Sequence, residues 1–301
     1  MTGPTSHEVH TDDGWRLDVQ VHAAPDPVAV AVLGHAMMVD RRSMDRPRGE
    51  GLASRLAARG IQVHLCDLRG HGASGPTADE GGAWSYDDIV HRDLPALVAD
   101  ARARHPELPV FMVGHSLAGH CSAAAAGSGS FADPPDGYVF FAVNVWARGF
   151  DGSWWRDLRR ARDTLVFLLI ALVLGRFPSR TLRMGPTSEA TPYVRDLARF
   201  FFSGGWTSRD GQHDYLANLA HVRGPVLALG GAGDRLMAHP DNLRRWTEAM
   251  TGADTDVRIL GVGDFGLTRD PGHMELVTDP GSAAVWDEVA QWIRARAAEI
   301  C

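Results

Sequence analysis

Lysine is missing from the sequence altogether: all 30 basic residues among its 301 are arginine. With no side-chain amine available for a Schiff base, pyridoxal enzymes and amine aldolases are excluded. The lysine of a phosphate-binding P-loop and that of a Ser-Lys dyad are absent for the same reason. Cysteine is nearly as scarce, with Cys66, Cys121 and Cys301 at unrelated spacings. Such an odd trio builds neither a disulfide framework nor a zinc signature and reads as reduced thiols. A surplus of positive charge is also lacking, since 30 basic residues face 37 acidic ones for a net −7. That argues against nucleic acid as a partner, because phosphate contacts need a basic face. Long apolar runs are absent too. The strongest, Leu165 to Leu174, would span only about 15 Å as a helix, against a hydrocarbon core of about 30 Å. No membrane span is expected, and the run should pack into a core or over an apolar pocket. Met1 to Val9 carries neither a basic region nor an apolar stretch, so no secretory signal is read there and a cytoplasmic location is expected. No metal and no cofactor is expected.

What is present is an alternation of short strands and helices. Glu8 to His22 alternates around Asp13-Gly14, a pattern that predicts a β-hairpin. Val28 to Leu33, Ile61 to Leu65, Pro109 to Val113, Tyr138 to Val143, Pro225 to Leu229 and Val257 to Leu260 are strand candidates, several of them wholly apolar. Helices are predicted between them, over Pro47–Arg59, Tyr86–Arg104, Leu117–Ala126, Pro240–Met250 and Ser282–Ala298. Continuous apolar strands separated by helices indicate a mostly parallel sheet covered on both faces. The alternation stops at Asn144 and resumes at Pro225; the stretch between is helical, aromatic and rich in arginine. The expected organisation is therefore an α/β core in two parts, residues 1–145 and 216–301, interrupted by a helical insertion at 146–215.

The strand ending at Val113 leads into Gly114-His115-Ser116-Leu117-Ala118-Gly119 and then a helix. A serine between small residues at a strand-to-helix turn is a nucleophile elbow, although Ala118 departs from the strict G-x-S-x-G pattern. A serine hydroxyl needs an adjacent base, and in this arrangement the chain order is serine, acid, histidine. Asp234 follows the strand ending at Leu229, and His273 lies between the last strand and the last helix. His273 is assigned as the base and Asp234 as the group that orients it, with Asp264 as a competing acid. The Leu117 amide, at a helix N-terminus, is one candidate oxyanion donor. The Met37 amide, in the loop Gly34-His35-Ala36-Met37-Met38, is the second. His35, Met38, Trp146 and Phe167 are assigned to the substrate pocket, although the His35 ring also fits a buried group bonding loop backbone. Arg156, Arg159, Arg160 and Arg162 read as a solvated helix face, or as a docking patch for an anionic acyl carrier or coenzyme A.

On these residues the chain resembles the α/β-hydrolase superfamily over nearly all its length. The His-Ala-Met-Met loop, the stretch Asp67-Leu68-Arg69-Gly70-His71-Gly72-Ala73-Ser74-Gly75, the Ser116 elbow and the Asp234/His273 pair carry the resemblance together. The second of these is similar to a stretch frequent in the lysophospholipase-like and serine-aminopeptidase-like branch, where it implies a structural turn, so Arg69 and His71 are read as structural. The insertion resembles the helical cap placed after the sixth strand in that branch. Gly175 to Gly185 is similar to a G-x-F-P-x-R-x-L-x-x-G segment of poorly characterised bacterial members. The usual His-Gly of the oxyanion loop is His35-Ala36 here. The resemblance implies a serine hydrolase. The aromatic residues of the insertion point to an ester or thioester of an apolar acyl group, cleaved through an acyl-enzyme. An acyltransferase or cyclase using the same intermediate, and a non-catalytic binding protein on the same scaffold, are the alternatives. The expected partner is a small-molecule acyl substrate, and the chain is expected as a monomer or homodimer.

Overall fold

The computed structural model describes residues 3–150 and 152–300. Eight strands form one sheet: β1 (Thr5–His10), β2 (Arg16–His22), β3 (Ala29–Gly34), β4 (Ile61–Cys66), β5 (Val110–His115), β6 (Gly137–Phe141), β7 (Pro225–Gly231) and β8 (Asp254–Leu260). Their order across the sheet is β1-β2-β4-β3-β5-β6-β7-β8. Only β2 runs against the rest, pairing antiparallel with β1 and with β4, while the remaining neighbours are parallel. Strands β3 to β6 are buried at every position. That is why they read as unbroken apolar runs rather than as alternating ones.

Seven helices matter for the architecture: α1 (Leu52–Ala58), α2 (Leu94–Arg104), α3 (Leu117–Gly127), α4 (Trp154–Leu174), α5 (Thr191–Ser203), α6 (Pro240–Glu248) and α7 (Ala283–Ile300). Helices α1 and α7 cover one face, where Leu52, Leu56, Trp286 and Ile293 pack on Ala29, Ala31 and Leu33. The opposite face carries α2, α3 and α6, with Leu97, Ala124 and Trp246 in its core. The helix expected from Pro47 starts only at Leu52, because Gly49 takes a left-handed φ of 81° that a helix interior does not accommodate. The segment before α2 widens into a π-turn over Ile89–Asp93. Pro95 lacks the N–H that would bond the His91 carbonyl and crowds it, which loosens the preceding turn.

Between β6 and β7 the chain leaves the sheet and builds α4 and α5, which pack on each other. A two-residue antiparallel pairing of Arg176–Phe177 with Glu189–Ala190 joins them. Among the described residues no helix is long and apolar enough to cross a membrane. One face of α4 turns inward through Thr164, Phe167 and Ala171. The other is left exposed: Trp154, Leu165, Leu169 and Val173 stand in solvent, Val173 at 81% of its full area. The apolar run is thus covered on one side only.

Candidate active site

Ser116 follows β5 with φ 49° and ψ −107°, and α3 begins at the next residue. A positive φ on a residue with a Cβ is strained, and such strain is held at functional turns by the surrounding structure. The turn depends on missing side chains. A Cβ on Gly114 would lie 2.4 Å from the Gly119 Cα, and one on Gly119 would lie 2.3 Å from the Val143 Cγ2. Ala118 finds its space from another strand, since a Cβ on Gly34 would meet its methyl at 2.5 Å. A glycine at the end of β3 therefore accommodates the alanine that departs from the usual elbow.

The Ser116 Oγ is 3.0 Å from His273 Nε2, and His273 Nδ1 is 2.7 Å from Asp234 Oδ2. The Asp234 carboxylate also accepts from the amides of Met237 at 3.0 Å and Ala238 at 2.9 Å. Burial pushes the Asp234 carboxyl up, but the His273 hydrogen bond and charge and the two amides outweigh it and hold the group below its ordinary pKa. Asp234 stays ionised and fixes the tautomer with Nδ1 protonated, which leaves Nε2 free to accept from the serine. Asp264 is exposed and accepts from the Gly261 amide at 2.8 Å, closing its own turn. It is not the partner of His273. Behind the triad, His115 Nε2 donates to the His273 carbonyl at 3.0 Å. Burial and the neighbouring His273 push the His115 pKa down to about 3, so its ring is neutral.

The loop after β3, expected to supply an oxyanion donor, is tied to the elbow by the Ala118 amide, which donates to the His35 carbonyl at 3.2 Å. Among the described residues no acceptor takes the amide of Met37 or that of Leu117, the first residue of α3. His35 is fully buried and does not line the cleft. Its Nδ1 donates to the Ala36 carbonyl at 2.8 Å and its Nε2 accepts from the Leu68 amide at 3.1 Å. Burial, with His71 nearby, lowers its pKa to about 3. Met38 also lies outside the cleft lining. Its φ of 64° turns its backbone toward the insertion, where its carbonyl accepts from Thr187 and its amide donates to Glu189. The pocket assignment of His35 and Met38 is corrected accordingly: both hold the loop, and Met37 is the loop residue that faces the cleft.

The cleft encloses about 760 Å³ of free space, part of it open to solvent, with Ser116 and His273 on its wall. Trp146 and Phe167 line it together with Tyr193, Leu197 and Phe200 of α5. The α5 residues carry no sequence motif, and their apolar spacing alone could not separate a pocket wall from a helix core. His120 also faces the cleft, its Nδ1 2.8 Å from the Tyr86 hydroxyl, and burial lowers its pKa to about 3. The insertion also grips the acid loop. The Trp146 indole N–H and the Asn144 amide both donate to the Met237 carbonyl, at 3.0 and 2.8 Å, and Arg160 donates to the Leu236 carbonyl at 2.7 Å. Arg160 is fully buried and lies over the Trp146 ring. It is therefore not part of a solvated arginine face, although Arg159 and Arg162 are exposed. Arg69 is buried as well, paired with Asp93 at 2.7 Å and Asp13 at 3.0 Å, and serves as a structural tie.

The family model of the serine aminopeptidases, S33, matches residues 34–261 of this chain. Among solved structures, a soluble variant of monoglyceride lipase from Saccharomyces cerevisiae is similar at a TM-score of 0.70 and 15% identity, covering 98% of this chain and 96% of that one. An esterase of Pyrococcus furiosus gives 0.65 at 14% identity, covering 97% and 91%. A thioesterase domain from the curacin biosynthetic pathway gives 0.54 at 16% identity, covering 94% and 99%. At such identities the three structures speak for the fold, while the family match spans most of the chain and takes in both the loop after β3 and the Ser116 elbow. The chain belongs to the serine aminopeptidase S33 family of the α/β-hydrolase superfamily, and is a hydrolase of the serine type.

Proposed function

We propose that the protein hydrolyses carboxylic esters or thioesters of an apolar acyl group through an acyl-enzyme on Ser116. The observation that carries this reading is the hydrogen-bonded chain Ser116–His273–Asp234 opening on an apolar cleft. As the Ser116 Oγ attacks the carbonyl carbon, its proton passes to His273 Nε2. The ionised Asp234 stabilises the imidazolium that forms. The amides of Leu117 and Met37 would receive the oxyanion, a role worth about 10²–10³ in kcat per donor. The C–O or C–S bond then breaks as His273 returns the proton to the leaving group. Water repeats the sequence to release the acid.

The cleft wall favours an acyl chain over a peptide. Among the described residues its lining includes no Asp or Glu, so no carboxylate there would neutralise the amino terminus of a peptide substrate. Each substrate CH₂ buried against Phe167, Leu197 and Phe200 would contribute up to about 0.8 kcal/mol, roughly fourfold in kcat/KM. The test is a panel of p-nitrophenyl esters and matching thioesters from two to twelve carbons, run beside aminoacyl anilides. The expected result is kcat/KM rising with acyl length until the cleft is filled. Faster turnover of the anilides than of any ester would contradict the reading.

A further inference from the structure

A second cluster of chemistry-bearing side chains lies away from the Ser116 cleft. His7 on β1, His64 on β4 and Asp100 on α2 turn toward one another on the face of the sheet that α2 covers. One ligand atom from each lies within 4.8 Å of the other two. The register explains the meeting. His7 pairs with Val19 on β2, which pairs in turn with Cys66 on β4, two residues from His64. The two histidines therefore share a face and reach across the small valines of β2. Helix α2 follows the C-terminal rim of the sheet and carries the chain back to the N-terminal rim before β5. Asp100 lies near its end, whereas Ser116 stands at the opposite rim.

Four features of the cluster point to a ligand. His64 is 1% exposed, and among the described residues neither of its ring nitrogens has a hydrogen-bond partner. A buried polar group left in that state costs free energy and calls for an explanation. Its Nδ1 is 3.6 Å from Asp100 Oδ2, beyond hydrogen-bond reach, while His7 Nε2 is 2.7 Å from the same oxygen. The carboxylate is already oriented, because Arg104 donates to Oδ1 at 2.8 Å and leaves Oδ2 facing both rings. A ligating carboxylate held by such an outer partner is the usual arrangement. His7 and Asp100 keep 17% and 16% of their side-chain area exposed, which supplies an entry path and room for a water ligand. The negative end of the α2 dipole lies close by and favours a cation.

We propose that His7, His64 and Asp100 form a binding site for a borderline divalent cation of the zinc type, which ties β1, β4 and α2 together. Two imidazoles and one carboxylate suit such an ion, whereas calcium and magnesium require a shell of oxygens. Bonds of about 2.0–2.2 Å in a tetrahedron set the donors roughly 3.3–3.6 Å apart. Asp100 Oδ2 stands 2.7 Å from His7 Nε2 and 3.6 Å from His64 Nδ1, and the donor atoms all lie within 4.8 Å of one another, so modest side-chain rotations would bring them to that spacing.

The experiment titrates chelator-treated full-length protein with Co²⁺, followed by its visible d–d absorption, and then displaces it with Zn²⁺. The variants are His7→Ala and Asp100→Asn, both at partly exposed positions, with circular dichroism verifying the fold. The expected result is one saturating equivalent with a tetrahedral spectrum, a melting temperature that rises to a plateau at one equivalent of Zn²⁺, and affinity at least tenfold weaker in each variant. Absence of a saturable equivalent would overturn the proposal, and so would binding that is unchanged in both variants, which would place the ion at other histidines. Neither variant touches the triad, so these outcomes are independent of whether the ester chemistry proposed above holds.

Discussion

Glu189 is where the insertion holds the loop after β3, which carries the proposed oxyanion donor Met37, and replacing it tests that connection. Its Oε1 accepts from the Met38 amide at 2.5 Å and lies 3.2 Å from His71 Nε2, with both side chains fully buried. The other ring nitrogen, Nδ1, donates to the Arg69 carbonyl at 2.9 Å. Burial alone would lower the His71 pKa, but the charge and hydrogen bond of Glu189 and the Arg69 carbonyl outweigh it and raise the value above that of an ordinary histidine. Glu189→Ala removes the acceptor from the buried His71 ring and from a buried amide at once. Breaking a buried pair from one side costs about 3–5 kcal/mol. With an unfolding entropy of about 2.1 cal/mol/K per residue, a chain of 301 residues shifts by about 1.6 °C per kcal/mol, so the melting temperature should fall by about 5–8 °C. The Met37 amide is next in the chain, and a displacement of about 1 Å there can cost about 10² in rate, so kcat should fall more than KM changes. Glu189→Gln keeps an oxygen for the Met38 amide and loses only the charge. Because the folded pKa of His71 is raised, the stabilisation due to its charge is complete below about 6.5, the unfolded value, and is lost as pH rises through the folded value. The gap in melting temperature between wild type and Glu189→Gln should therefore be widest at pH 5.5–6.5 and close at higher pH, as read by thermal denaturation. A Glu189→Ala protein that melts within about 2 °C of wild type, or a gap that widens with pH, would refute the reasoning.

Other variants probe the remaining parts of the site. Asp234→Asn should keep the fold and lower kcat by about 10⁴, by the tautomer argument, whereas Asp264→Asn should have little effect on ester turnover; the reverse pattern in steady-state assays would reassign the acid. Gly34→Ala drives a methyl against Ala118 and should cost about 1–3 kcal/mol, most of which Ala118→Gly should restore; a denaturant double-mutant cycle without coupling would contradict the packing described. Phe167→Ala, on the cleft wall, should lower kcat/KM for octanoyl esters far more than for acetyl esters. Leu169→Asp, on the exposed face of α4, should leave that ratio unchanged, and a collapse of long-chain turnover in this variant would show that the face is not free.

The parts of this architecture that sequence reasoning could reach are those where one residue type answers one local demand. Buried parallel strands need apolar side chains on both faces, so β3 to β5 announced themselves. The Ser116 turn needs small neighbours, and chain order then selected Asp234 and His273 from many acids and 14 histidines. What escaped was set by contacts across long sequence distances. Ala118 looked like a local departure, yet the space for it comes from Gly34 on another strand. His35 and Met38 sit beside a residue of the cleft wall but point away from it, a matter of backbone turn that composition does not reveal. Arg160 belongs to a run of arginines that reads as a solvated face, and it is buried because its carbonyl partner at Leu236 comes from the acid loop. Glu189 carries no motif, and its role exists only because the insertion folds back onto the loop after β3.

The central claim is that Ser116, activated by His273, is the nucleophile. The most direct measurement treats the protein with a fluorophosphonate, follows ester turnover in parallel and maps the modified peptide by mass spectrometry. The account predicts a single adduct on Ser116 that forms in step with the loss of activity, no adduct in Ser116→Ala, and much slower labelling in His273→Ala. Labelling at another residue, or a Ser116→Ala protein that still turns over esters at the wild-type rate, would contradict it.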